Sequence, residues 1–230
     1  MAGMDDRPIT LAQRNFRQRA ETLERMGNQE RFTHIYQSNL WGSASVSGPG
    51  SDAEQTRELR ARLPELLARF GVRTLLDLPC GDFGWLNGVD LGVARYIGAD
   101  IVGELVTQNI ERYGQDETRE FRVLDLTADP LPSADAVLCR DCLVHLSFAD
   151  VRSAVENLRR SGSRYLLTTT FTGQTANADI STGDWRALNL CREPFGFPEP
   201  LATLVEGCTE EGGAYADKSL ALWEIATLPG

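Results

Sequence analysis

A chain of 230 residues, 42% hydrophobic and 24% charged, is long enough for one large core and would leave two small halves if divided; no apolar run reaches bilayer length, which excludes a membrane-spanning protein. Its formal charge of −10 repels phosphate backbones and argues against a nucleic-acid partner, while suiting a cationic or zwitterionic small molecule. Five cysteines, an odd number, and an N-terminal stretch of mixed charge without an apolar core point to reduced thiols and a cytoplasmic setting.

Residues 11–36 predict a charged helical appendage with apolar positions too sparse for deep burial. Residues 37–51, dense in Gly and Ser, read as loop. Asp52 is placed to cap a helix in which Leu59, Leu63, Leu66, Leu67 and Phe70 recur at helical spacing before Gly71. Strand and helix signals then alternate, with strands at 74–78, 96–100, 121–125, 134–139 and 165–170 and helices around 103–113 and 148–161. That is the pattern of a parallel sheet covered on both faces. Two last strands, 201–208 and 219–226, flank the turn-rich 210–217 as a hairpin. The division expected is a helix and lid-like loop over 1–52, part of the same domain as 53–230.

Leu75-Leu76-Asp77-Leu78 is a buried type of strand, and Pro79-Cys80-Gly81-Asp82-Phe83-Gly84 is the turn leaving it toward a helix. Ligands of open α/β sheets bind at such strand ends. A dinucleotide fingerprint needs three glycines, whereas Pro79 and Phe83 stand where two of them belong. The turn therefore suits a nucleoside ligand without a pyrophosphate, with Gly81 permitting one close backbone approach. Asp100, ending the second strand, is placed to accept from both hydroxyls of a ribose. Asp125, with the N–H that follows it, is placed to meet an adenine amino group and ring nitrogen.

On these residues the chain resembles the class I S-adenosylmethionine-dependent methyltransferase superfamily from Thr74 onward. Asp77 and Gly81, with Pro79 and Cys80 between them, look like its motif I. Asp100, beside Ile101, looks like its ribose residue, and Asp125, beside Leu126, like its adenine-side acid. Residues 134–139 are similar to its fourth strand, followed by the loop 141–147 where donor and acceptor meet. The resemblance implies an α/β, Rossmann-like methyltransferase fold: a mostly parallel seven-stranded sheet with an antiparallel C-terminal hairpin strand, plus an N-terminal helical extension. It implies S-adenosylmethionine as donor, S-adenosylhomocysteine as product, no metal, and Arg140 at the methionine end of the cofactor.

Several residues carry two readings. His145, one of two histidines, is either a satisfied structural residue or a general base on the loop after the fourth strand, a role shared as a candidate with Asp141. Cys139-Arg140-Asp141-Cys142 is a C-x-x-C for which buried thiols are favoured over redox or zinc chemistry. Tyr36 and Trp41 either close over the sulfonium or pack the N-terminal helix. Ser47, Gly48, Gly50 and Ser51 offer hydroxyls and amides to the cofactor's carboxylate. The irregular 171–200 reads as an acceptor wall, with Asp179, Asp184, Trp185 and Asn189 joining Tyr36 and Asp141 on the substrate side.

The function expected is biosynthetic N-methylation of a small amine or guanidine, for example an amino acid such as arginine. The runner-up is O-methylation of a hydroxyl or carboxylate in a sugar or secondary metabolite. A non-catalytic cofactor-binding or protein-interaction domain is the alternative class. Monomer and homodimer both stay open.

Overall fold

The strand order follows from where continuous apolar segments can be buried on both faces. The computed structural model describes residues 7–42 and 48–230. Five strands run parallel: β1 (Thr74–Asp77), β2 (Arg95–Asp100), β3 (Arg119–Val123), β4 (Ala136–Cys139) and β5 (Tyr165–Phe171). β6 (Ala202–Val205) and β7 (Lys218–Glu224) form the hairpin, and β7 inserts antiparallel between β5 and β6. The seven-stranded order is β3-β2-β1-β4-β5-β7-β6, so the direction of winding reverses between β1 and β4. A crevice must open there, at the carboxyl ends of the strands.

Helix α3 (Arg57–Arg69) buries Leu59, Leu63, Leu66 and Leu67. α4 (Gly103–Tyr113) buries Leu105 and Val106, and α5 (Phe148–Arg160) buries Val151, Ala154, Val155 and Leu158, with the Ser147 side chain accepting from the Asp150 N–H as its cap. Among the described residues no helix is long and apolar enough to cross a membrane.

Four expectations change. The N-terminal segment is two helices, α1 (Leu11–Leu23) and α2 (Asn28–Gln37), broken before Gly27, which caps α2. The break brings sparse apolar residues together, so Phe16, Leu23, Ile35 and Leu40 form a buried cluster of their own. No helix follows β1: residues 78–94 are successive turns that bury Phe83, Trp85, Leu86 and Leu91. Gly81 and Phe83 both take positive φ, 55° and 56°, which breaks any right-handed course at its first turn. The N-cap of α3 is Thr56, not Asp52; the Asp52 carbonyl accepts from the Thr56 N–H at 3.1 Å. Finally, β3 ends at Val123, leaving Asp125 in a turn, and β4 begins after Asp135, whose carboxylate accepts from the N–H groups of Arg73 (2.9 Å) and Thr74 (2.8 Å).

Candidate functional site

Two cavities meet at the β1/β4 reversal. The first encloses about 1010 Å³, part of it open to solvent, and is lined by the ends of β1, β2 and β4 and by Tyr36, Trp41 and Ser51. On its floor, Asp77 accepts from the Tyr96 hydroxyl at 2.6 Å, and burial pushes its carboxyl up to about 7. Asp100 accepts from the Gly81 N–H at 3.1 Å and the Val102 N–H at 2.9 Å; burial pushes it up to about 6. Asn109 of α4 donates to the Gly81 carbonyl at 2.7 Å, so the turn is clamped from both sides. Asp125 Oδ1 accepts from the Thr127 N–H (2.7 Å) and hydroxyl (2.6 Å). Pro79, Cys80, Ile101, Leu126 and Arg140 line the same cavity.

The second cavity, of about 920 Å³, has walls from distant parts of the chain: Thr10–Ala12, Gly48–Gly50, Phe171, Trp185, and the hairpin residues Glu210, Glu211, Tyr215 and Lys218. Trp41, Asp141 and His145 border both cavities. The boundary between them is built on a network of buried charges.

Arg140 Nη2 donates to Glu206 Oε2 at 2.7 Å and to the Gly50 carbonyl at 2.8 Å, while Nη1 lies 3.3 Å from Asp141 Oδ2. Its guanidinium stands 5.3 Å from the Trp85 ring, and its buried Nε has no partner among the described residues. Burial opposes the charge, yet Asp141 and Glu206 hold its pKa above the ordinary arginine value. Asp141, at φ 51°, also takes Lys218 Nζ at 2.7 Å. Burial works to raise its carboxyl, but Arg140 and Lys218 hold it well below the usual carboxylate range. A Cβ on Gly50 would lie 2.6 Å from Asp141 Oδ2 and 3.0 Å from Lys218 Nζ, so only glycine lets the loop close on this pair.

His145 Nδ1 lies 2.8 Å from the Asp184 carbonyl. A carbonyl can only accept, so Nδ1 carries the hydrogen and the neutral ring keeps its lone pair on Nε2. Burial lowers the imidazole pKa to about 4. The Trp41 ring stacks on it at 4.7 Å, tilted 30°, and the buried Trp41 Nε1 has no partner among the described residues.

The remaining expected positions divide. Tyr36 lines the first cavity, its hydroxyl accepting from Gln108 at 3.0 Å, rather than the substrate side. Gly48 lines the second cavity rather than the first, and Ser47 lies outside the described residues. Asp179, Asp184 and Asn189 line neither cavity. Asp179 accepts from the Phe148 N–H at 2.7 Å at the start of α5, and Asp184 accepts from the Trp185 N–H at 2.8 Å while its carbonyl orients His145. Asn189 bridges its own segment through the Gln174 carbonyl (2.8 Å) and the Cys191 N–H (3.1 Å). These partners occupy the polar groups outside both cavities, and Trp185 alone of this segment's expected substrate residues lines one of them. Cys139 is buried, and the half-buried Cys142 thiol, hydrogen-bonded with Cys139, is pushed up by that bond and by desolvation.

Sequence reasoning missed Glu206 and Lys218. Glu206 carried no signal. Lys218 did, being the only lysine in a chain whose lysines and arginines together number 23.

Residues 76–163 match the family model described as a methyltransferase domain. Among solved structures, the methyltransferase domain of bacterial CtHen1-CN aligns at 12% identity with a TM-score of 0.54, over 75% of this chain and 100% of that one. The N-methyltransferase NodS from Bradyrhizobium japonicum WM9 aligns at 14% identity with a TM-score of 0.52, over 75% of this chain and 97% of that one. At such identities the likeness is one of fold. No curated protein gives a significant match.

Proposed function

From the premise that this chain belongs to the class I S-adenosylmethionine-dependent methyltransferases, we propose that it methylates a nitrogen of a small amine or guanidine. The observation that carries this reading is the chemistry of the second cavity. Four aromatic residues, Trp41, Phe171, Trp185 and Tyr215, share its walls with the carboxylates Asp141, Glu210 and Glu211. Aromatic faces and carboxylates together favour a cation or a protonatable amine. Lys218 does not reverse this, because Asp141 and Glu206 neutralise it at 2.7 and 3.6 Å.

The first cavity suits the cofactor. Each Asp100 oxygen is engaged by one backbone amide, which leaves lone pairs for ribose hydroxyls. Asp125 and Leu126, on the wall of the same cavity, suit the adenine. Gly81, Pro79, Cys80 and Ile101 shape the turn over Asp77. The buried Nε of Arg140, without a hydrogen-bond partner among the described residues, suits the methionine portion together with Ser51 and Trp41. When bound, S-adenosylmethionine supplies a methyl group already activated by its sulfonium.

The residues at the boundary then divide the work. His145, neutral above about pH 4, presents Nε2 to take the proton that an acceptor nitrogen must lose. Asp141 is unsuited to that task, because two cations keep protons off it; an ionised carboxylate there orients the acceptor's N–H groups instead. Alignment and exclusion of water by the aromatic walls supply the rest. Walls from both 7–42 and 48–51 support reading 1–52 as the lid of the same domain as 53–230, in a cytoplasmic enzyme acting on small molecules.

The test is incubation of the intact protein with methyl-labelled S-adenosylmethionine and a panel of amines, guanidines including arginine, and matched alcohols and carboxylates. Label recovered on nitrogen is the expected result. Label only in ethers or esters establishes the O-methylation alternative. Binding of S-adenosylhomocysteine without any labelled product favours a non-catalytic role.

A further inference from the structure

We propose that Arg186 is a positioning residue for the transfer step: from behind the turn Leu143–His145 it fixes the imidazole at the boundary and keeps Nε2 free to accept a proton. This rests on His145 as the base in the amine-acceptor reading above. All three carbonyls of the turn are tied to one short segment. The Leu143 carbonyl accepts from Arg186 Nη1 at 3.0 Å, the Val144 carbonyl from the Arg186 N–H at 3.1 Å, and the His145 carbonyl from the Gly183 N–H at 2.7 Å. The same segment holds the ring, since the Asp184 carbonyl takes the hydrogen on His145 Nδ1 at 2.8 Å. Just beyond, the Ser147 N–H donates to the Thr182 hydroxyl at 2.9 Å. Arg186 is the member of this strap that grips the turn through both its backbone and its side chain.

Packing alone does not account for a guanidinium here. Arg186 is 6% exposed, its Nε and Nη2 are buried without a hydrogen-bond partner among the described residues, and its charge lies 5.5 Å from the Phe148 ring. Asp179 and Asp184 attract it through space, yet both carboxylates are engaged by backbone N–H groups, those of Phe148 and Trp185. Burial lowers its pKa to about 10, which leaves it a cation at neutral pH. A buried charge so thinly paired is costly, whereas a methionine of similar length would pack there without that cost.

The charge acts on the neighbouring ring. Burial is the main cause that keeps His145 neutral. Of the charged groups around the ring, Asp141 on its own loop favours protonation, while Arg186 and Lys218 of β7 oppose it. Trp41 covers one face, and Glu210 and Glu211 lie on the wall of the second cavity. Lys218 is neutralised by Asp141 and Glu206, so Arg186 is the less compensated of the two cations. The strap thus sets the tautomer through the Asp184 carbonyl and supports the charge state through Arg186.

The experiment follows the imidazole nitrogens by NMR from about pH 8 down to about pH 5.5 in the full-length protein, labelled in histidine and saturated with S-adenosylhomocysteine; His34, the only other histidine, is the internal reference. Wild-type His145 is expected as the Nδ1–H tautomer throughout this range. Arg186→Met keeps a stem on Phe148 but removes the charge and the Leu143 bond. It should show about threefold more imidazolium at about pH 5.5 and a second tautomer at neutral pH. Arg186→Lys, which keeps the charge, should return the imidazolium fraction to that of wild type. On the amine identified by labelling, Arg186→Met should lose about tenfold or more in kcat with KM within about threefold, because misorientation outweighs so small a gain in basicity. Unchanged His145 signals in Arg186→Met, or the same rise in imidazolium in Arg186→Lys, overturn the assignment. Should Arg186→Met not fold, Arg186→Gln removes the charge while leaving an amide to donate to the Leu143 carbonyl, and its imidazolium fraction decides in the same way. The amine-acceptor reading falls by a different result, the absence of labelled amines from the wild-type panel, which leaves these spectra unchanged.

Discussion

The two cavities are held together by different kinds of contact. In the first cavity, carboxylates at or just beyond strand ends accept from backbone amides of the strand-end turns: Asp100 from Val102 and from Gly81 of the turn after β1, and Asp125 from Thr127. The second cavity depends on side chains brought together from distant parts of the chain, such as Lys218 with Asp141, Arg140 with Glu206, and Arg7 with Asp217. Amide-held groups keep their geometry whenever the local chain conformation forms. Charge pairs in a dry interior depend on every partner being present, because removal of one strands the others. The first cavity is thus a property of the sheet and its strand-end turns, and the second a property of this chain's N-terminal segment and hairpin.

The largest expected effect probes the boundary. His145→Gln should lower turnover by about 10²- to 10⁴-fold while S-adenosylhomocysteine affinity, read by isothermal titration, stays within about threefold. With an imidazole pKa of about 4, the base is lost only as pH falls through about 4, so the wild-type rate should be level from pH 5 to 8 with respect to this group. An acidic limb near 6.5 would contradict His145 as the base, and a parallel loss of cofactor affinity would erase the distinction between the cavities.

Next in size, Asp100→Ala should weaken S-adenosylhomocysteine binding about a hundredfold, since two charge-assisted hydrogen bonds at about 1.5 kcal/mol each are removed. Its carboxyl, raised to about 6, is ionised above that value, so wild-type affinity should decline as pH drops below about 6. This decline should vanish in the variant. For folding the sign is opposite: the raised pKa means that the protonated acid favours the native state, a contribution present below about pH 4 and lost as pH rises through about 6.

The smallest effect tests the packing of lid on charge network. Gly50→Ala forces a Cβ to within 2.6 Å of Asp141 Oδ2, and the network must shift. Urea unfolding should show a loss of about 2 kcal/mol. An unchanged midpoint would mean that the loop yields freely and that the lid is not fastened to Asp141.

Legibility in the sequence followed the same division. The placement of Asp77, Gly81, Asp100 and Asp125 around one cavity is legible because each sits at or just beyond the end of its own strand, and strand periodicity is local. The helix after β1 was misjudged because Phe83 takes a left-handed conformation that its residue type disfavours, fixed by burial among Tyr96, Tyr113 and Phe121. Asp179 and Asn189 were placed on the acceptor wall by their polarity, whereas backbone groups within reach had already claimed them.

By itself the sequence determined the alternation of strands and helices, the terminal hairpin, and carboxylates at or just beyond successive strand ends, because those depend on periodicity and turn chemistry within a few residues. Only the tertiary structure decided the second cavity. Which carboxylate faces which cation there is set largely by residues far apart in the chain, 66 positions for Arg140 with Glu206 and 77 for Lys218 with Asp141, and the ionisation of Asp141 and His145 follows from burial and neighbours that no local pattern encodes.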